Sequence, residues 1–367
     1  MTIEDLKQLS PDTLRKLLVE LFPESKIVIE RIFEMGIDMV SGATLAFFNA
    51  TPPNGKPQPL MIKVAPGIGR QERAGAELLS RWLPTPDFVG DPADDFSLYE
   101  KISGPTIDQL IRQPTMHNFN GSDWYLRTVS EHLQMWKDTL STNSPACSGS
   151  YIGKTNKTTD LALSLSIWSA FLSDVAAKPI VVNKVQLPPL NEMLYAMGRL
   201  VGQCKTTVLS HGDEGLCNSI LDSAGSRIAY VDVGEAGRRI IGEPIAKLLL
   251  WFAATMSEKV KFEYQIIDGV PTIDYQVKLP KEVHEIILKA RDIIFSEIGD
   301  SIDMPSLYAC CMMYLLREIQ WISRRQRDIM LAPLFAMAME AAGAMLGILD
   351  ELPVFTKSQK TLTTFMV

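Results

Sequence analysis

Thiols and imidazoles are both scarce in this chain. Its five cysteines, Cys147, Cys204, Cys217, Cys310 and Cys311, are odd in number and form neither a CxxC pair nor a zinc-ligand spacing. That argues against a disulfide framework and against a structural zinc site, and makes a reducing, cytoplasmic compartment the expectation. Only four histidines occur, so the placement of each carries weight. A basic surplus is missing too: 36 Lys and Arg against 43 Asp and Glu leave a net charge of −7, the wrong sign for a surface that coats nucleic acid. The opening MTIEDLKQLS is acidic and polar, so no secretory signal is expected. No clean run of membrane length appears either. The most apolar stretch, residues 330–349, is interrupted by Pro333 and Glu340 and follows the basic SRRQR, so it reads as a buried helix. There is no internal repeat and no low-complexity tract.

What is present is a chain of 367 residues with 46% apolar content, enough for two domains or lobes. Helical periodicity marks residues 3–21. Strand-like segments follow at 26–35, in the residues after a Gly and Ser turn at 41–43, and at 59–65, suggesting an antiparallel meander. Residues 69–83 read as an amphipathic helix and 96–102 as a further strand. Beyond SGPT the texture turns to long helices, at 107–111, 124–140, 159–175, 191–204, 283–298 and much of 305–349. They are interrupted by strand-like NSILD and RIAYVDV and by a hairpin around Asp268-Gly269. The expected organisation is therefore α+β: a small β-rich N-terminal lobe over residues 1–100 with one main helix and a helical extension at 1–24, then a larger, mostly helical C-terminal lobe over 101–367.

One decapeptide, HGDEGLCNSI, concentrates polar chemistry ahead of an apolar strand. Asp213 on a loop is a candidate base or orienting group for a hydroxyl. Asn218, five residues on, and Asp232, at the end of RIAYVD, offer hard oxygen atoms of the kind magnesium favours. Taken singly, each is equally at home shaping a turn or ending a strand. His211 reads as the organiser of the Asp213 loop. Upstream, Lys63 lies inside an apolar strand, an expensive place for a charge unless an anion or carboxylate compensates it. Glu77 on the following helix is the first choice of partner and Glu72 the second. Ser41 and Gly42, between two strands, would let backbone amides approach phosphate oxygens. Arg238 and Arg239 read as a solvated charge pair.

In this order the residues resemble the aminoglycoside phosphotransferase and choline kinase-like family, small-molecule kinases with a protein-kinase-like fold. The resemblance rests on motifs between about residues 36 and 247, above all HGDEGLCN and VDVGEAG. It implies a two-lobed kinase that uses ATP and Mg2+ to phosphorylate a hydroxyl of a small molecule, with no nucleic-acid or membrane partner. By the same resemblance Asp213 is the catalytic base, with His211 beside it in the loop. Asn218 and Asp232 are the magnesium ligands. Lys63, paired with Glu77, contacts the α- and β-phosphates, Ser41 and Gly42 form the phosphate loop, and backbone groups from Tyr99 through Glu100 to Ile102 meet the adenine. The chain departs from the family after Asp232, where GEPIAK puts Glu243 and Lys247 in place of a Gly-Asp-Pro and a following Asp. It also carries Gly215 where Ser/Thr protein kinases carry a Lys, and it lacks an Ala-Pro-Glu segment, which favours a small acceptor over a protein.

Two other functions compete. One is a catalytically inactive kinase-like module that binds nucleotide or protein, for which the altered region after Asp232 speaks. The other is a metal-dependent phosphoesterase using the same carboxylates, which gives Lys63 nothing to do.

Overall fold

The computed structural model describes residues 10–33, 44–89, 94–116, 118–144, 146, 176–324 and 331–356. The chain divides into two units, Met1–Phe119 with Cys217–Ala236, and Asn120–Leu216 with Gly237–Val367.

In the first unit Ser10 caps helix α1 (Pro11–Leu21): its Oγ accepts the Thr13 amide at 3.1 Å, and Pro11 sits where no amide donor is needed. Strands β1 (Lys26–Phe33), β2 (Thr44–Thr51), β3 (Gln58–Val64) and β4 (Phe96–Glu100) form an antiparallel sheet in that order. Period-two alternation turns Ala46, Phe48, Leu60, Ile62 and Val64 onto the face covered by Leu14 and Leu18 of α1. The same alternation turns Lys63 to the other face. Helix α2 (Ile68–Leu79) buries Glu72, Gly75, Ala76 and Leu79. Helix α3 (Ile107–Arg112) begins in a reciprocal capping box between Thr106 and Gln109.

A short antiparallel pair, β8 (Ser219–Leu221) and β9 (Ile228–Tyr230), belongs to this unit. It is tied in by Leu221 N–H to Pro105 O at 2.9 Å and Tyr230 N–H to Pro84 O at 2.8 Å. Gly104 makes the first contact possible, because a Cβ there would lie 1.8 Å from the Leu221 carbonyl oxygen. The units thus differ from a single division at residue 100: residues 217–236 join the sheet-bearing unit because their backbone groups bond to it.

The second unit contains α4 (Gly121–Thr139), β5 (Ile180–Val182), β6 (Val185–Leu187), α5 (Leu190–Gln203), β7 (Thr207–Ser210), β10 (Gly237–Ile240) and α6 (Gly242–Met256). The hairpin of β11 (Glu258–Ile267) and β12 (Val270–Lys278) and helices α7 (Lys281–Ile298), α8 (Met304–Arg324) and α9 (Leu331–Met345) complete it. Strands β7 and β10 pair antiparallel, with Ser210 opposite Gly237. The expected hairpin is present, its turn made by Asp268 and Gly269, both at positive φ. Helix α6 is buried on nearly every side, which explains why its sequence is apolar all round. The apolar stretch near the C-terminus is internal as expected, with Leu334, Phe335 and Ala336 fully buried. Among the described residues no helix is long and apolar enough to cross a membrane. The helix expected at 159–175 lies outside the described residues.

The α+β organisation is as expected, a β-sheet unit and a larger helical one. The short strands β5, β6, β7 and β10 were not legible in the sequence, being three or four residues each.

Candidate active site

Lys63 is 5% exposed and points from the face of β3 opposite the α1 core. Its ammonium donates to Glu72 Oε1 at 2.7 Å and, in a very short contact, to Asp232 Oδ1. Burial alone would lower the Lys63 pKa; Asp232 and Glu72 more than reverse this, so the side chain stays charged. Glu72, 1% exposed, is held in turn by two more donors. Its Oε2 accepts the Tyr99 hydroxyl at 3.0 Å and the Val233 amide at 3.1 Å. One carboxylate therefore joins β3, β4, α2 and the segment after Asp232.

Glu77 is not that partner. It is exposed, because five residues at about 100° each carry it about 140° around α2 from Glu72. The inward face of the helix is set by Gly75, whose Cβ would fall 1.9 Å from the Val233 carbonyl oxygen. That close approach brings the Val233 amide to Glu72.

Asp232 itself is a non-glycine residue in the left-handed region, at φ 62°. Such strain recurs where a side chain must be aimed rather than merely accommodated. Its carboxylate is 38% exposed, so Lys63 does not enclose it. Asn218 lies beside it across the end of the β8–β9 pair, where Val231 N–H bonds to Asn218 O at 2.9 Å. Among the described residues no group of three or more His, Cys, Asp or Glu side chains is gathered for a metal. Asn218 and Asp232 each carry a hard oxygen of the kind a magnesium-like ion takes, the rest of such an ion's shell coming from water and phosphate oxygens.

Glu100 is exposed and Ile102 partly buried, just past β4. The Glu100 amide bonds to Asp87 O at 3.2 Å and the Lys101 amide to Pro59 O at 3.0 Å, so both donors are already engaged. Ser41 and Gly42 lie outside the described residues.

In the helical unit, the loop after β7 is built around buried polar groups. His211 is 1% exposed, and its Nδ1 accepts the Asp213 amide at 3.3 Å, the loop-organising place expected of it. Gly212, at φ 88°, donates its amide to Ser210 Oγ at 2.9 Å and, more weakly, to Glu214 Oε1 at 3.4 Å. The Ser210 hydroxyl also donates to Glu214 in a very short bond. Glu214, to which the sequence assigned nothing, thus braces the loop from inside.

Asp213 keeps 33% of its side chain exposed while Oδ1 receives the ammonium of Lys247 from the second turn of α6. Burial would depress the Lys247 pKa; Asp213, helped by Glu318 and Glu214, raises it instead. Gly215 completes the arrangement. A Cβ there would meet the Trp251 ring at 3.0 Å and Asp213 Oδ1 at 3.3 Å, leaving little room for the lysine that protein kinases place two residues after their base. The charge comes from a helix instead. Position 247 could be suspected only as a departure from the family pattern, because a loop-to-helix contact across 34 residues has no local signature. Arg238 and Arg239 are not a solvated pair. Arg238 donates to Thr139 O at 2.9 Å and Thr207 Oγ1 at 3.3 Å, and Arg239 is 3% exposed.

No protein-family model and no curated protein sequence matches this chain. Solved structures similar to it include small-molecule phosphotransferases and kinases. Amicoumacin kinase, solved with AMP-PNP, Ca2+ and its ligand, is 10% identical, at TM-score 0.48, over 94% of this chain and 96% of that one. Aminoglycoside-3'-phosphotransferase of type VIII is 16% identical, at TM-score 0.45, over 84% and 98%. Ethanolamine kinase of Plasmodium vivax is 12% identical, at TM-score 0.45, over 97% and 95%.

Proposed function

We propose that the protein is an ATP-dependent phosphotransferase that moves the γ-phosphate of ATP to a hydroxyl of a small molecule. The observation that carries this reading is the buried ammonium of Lys63, held between Glu72 and Asp232: a strand lysine fixed in this way is poised for phosphate oxygens. In this reading Lys63 meets the α- and β-phosphates. Asn218 and Asp232 would hold a divalent cation, which would supply charge neutralisation for the phosphates. The carbonyl of Glu100 and the amide of Ile102 serve the adenine, since the Glu100 and Lys101 amides are engaged, and Ser41 and Gly42 line the phosphates. Asp213 accepts the proton as the acceptor oxygen bonds to the γ-phosphorus and the bond to the leaving ADP oxygen breaks. His211 and Glu214 hold the loop, and Lys247 positions the Asp213 carboxylate.

A second reading, a catalytically inactive nucleotide-binding module, draws on one observation: Lys247 already occupies an oxygen of Asp213. ADP release across a panel of hydroxyl-bearing small molecules, with thermal shift by ATP and magnesium, separates the two. A kinase gives both, with Lys63→Met losing the shift. Asp213→Asn keeps the shift and loses about a hundredfold or more in turnover. A shift with no turnover on any acceptor supports the inactive module, and the absence of a shift in the parent refutes nucleotide binding altogether.

A further inference from the structure

The helical unit encloses a second space unrelated to the Asp213 loop. A cavity of about 470 Å3 lies between the β11–β12 hairpin, the start of α7, α9 and residues 352–354. Its size is that of a small-molecule site rather than a packing defect, which would hold a water or two. Its walls are apolar, among them Val277, Leu279, Met337, Leu352 and Val354. It is remote from the Asp213 loop. Lys247 touches Asp213 near the beginning of α6, whereas the cavity begins at Ser257, beyond the end of that helix, about 15 Å farther along its axis.

One polar group in the wall of this cavity is a carboxyl. Glu340 is 7% exposed on α9, and each oxygen has one neutral donor: the Tyr275 hydroxyl at 2.5 Å and Asn183 Nδ2 at 3.1 Å. The Asn183 amide is itself oriented, since its Oδ1 accepts the Tyr275 backbone N–H at 3.0 Å. No basic side chain among the described residues pairs with Glu340, and burial raises its pKa to about 7. A carboxyl left uncompensated in an apolar chamber, with lone pairs beyond those its two donors use, is a receptor for a positive charge that arrives with apolar substance attached.

We infer that this cavity is a binding site for a small apolar amine, whose ammonium pairs with Glu340 and whose hydrocarbon fills the space between hairpin and helices. The site is independent of the proposed kinase reaction. Other titratable groups face the same space. His284 on α7 has Nε2 against Val354 O at 3.0 Å, and Lys278 and Lys281 stand exposed at its edge, Lys281 near Glu285 at 3.7 Å. The lysines can turn to solvent, where water and salt screen them; Glu340 cannot.

The test is calorimetric titration of the full chain with 2-phenylethylamine and with its neutral analogue 2-phenylethanol. The variants are Glu340→Gln, which keeps the side chain's shape, and Val260→Trp, at a cavity-lining position 55% exposed, where bulk does not threaten folding. Saturable binding of the amine is expected. It should weaken at least tenfold for the alcohol and for Glu340→Gln, weaken in Val260→Trp, and persist in Asp213→Asn. Because Glu340 must ionise to pair, the amine should bind about tenfold more tightly at pH 8 than at pH 6 in the parent, with that difference absent in Glu340→Gln. No saturable binding by the amine, equal binding by the alcohol, equal binding to Glu340→Gln, or loss in Asp213→Asn would each overturn the inference.

Discussion

Lys247 and Asp213, 34 residues apart, form a contact pair in which a buried ammonium on α6 meets a carboxylate that keeps about a third of its side chain exposed. The partners are unequal in what they lose when separated. Asp213→Ala strands a buried cation, with Glu214 and Glu318 only partly compensating, and should cost about 1–3 kcal/mol in denaturant unfolding. Lys247→Met leaves a carboxylate that water can reach and should cost less. The double variant should be more stable than Asp213→Ala alone, a coupling that a cycle of the two substitutions measures.

Glu72 and Glu77 make a sharper contrast, because both lie on α2 and only one faces inward. Glu72→Ala removes the acceptor for Lys63, Tyr99 and the Val233 amide together and should destabilise by about 3 kcal/mol or more, with loss of any stabilisation by ATP and magnesium. Glu77→Ala should stay within about 0.5 kcal/mol of the parent and keep the nucleotide response.

Two helical glycines should respond with opposite sign to the same substitution. Gly75→Ala drives a methyl group into the Val233 carbonyl, 1.9 Å from the ideal Cβ, and should unfold at clearly lower denaturant, by about 2 kcal/mol or more. Gly198 in α5 has nothing within 4 Å of an added Cβ, so Gly198→Ala should stabilise by up to about 1 kcal/mol through helix propensity.

Glu340 sets a pH dependence whose sign follows from its raised pKa. The folded protein holds the proton up to about pH 7, whereas an unfolded glutamate gives it up near 4.5. The contribution to stability is therefore fully present below pH 4.5 and lost as pH rises through 7, a change of about 3 kcal/mol in the limit. His132 tilts the other way. Burial lowers its pKa from 6.5 to about 4, so its contribution is present above 6.5 and lost as pH falls through 4. Denaturation of parent and Glu340→Gln at matched pH isolates the carboxyl. The stability of Glu340→Gln relative to the parent should increase from pH 5 to pH 8, and a constant difference would contradict the assignment.

Much of this was legible in the sequence where the signal is local. The strand around Lys63 follows from its apolar run, the helices at 124–140 and 191–204 from their helical period, and the Asp-Gly turn from the positive φ it needs. The hairpin expected between Asn218 and Asp232 is present as the short pair Ser219–Leu221 and Ile228–Tyr230. For Lys63 the first expected partner was Glu77, but the structure sets Glu72, the second candidate, against it. A helix face cannot be chosen from periodicity alone when two glutamates flank a glycine whose importance lies in what approaches it. Glu214 and Lys247 gave little or no warning, because a buried loop brace and a helix lysine resemble ordinary surface charges when written in a line.

The sequence by itself determined most of the longer strands and helices and which residues carry oxygen and ammonium groups, since those depend on neighbours within a turn or two. Only the tertiary structure decided which of those groups meet. It joined residues 217–236 to the sheet unit, chose Glu72 over Glu77 at Lys63, set Lys247 on Asp213, and left Glu340 at an apolar cavity with no basic partner among the described residues. The physical reason is the same in each case. A buried charge is stabilised or penalised by groups within a few ångströms in space, and their distance along the chain does not enter that energy.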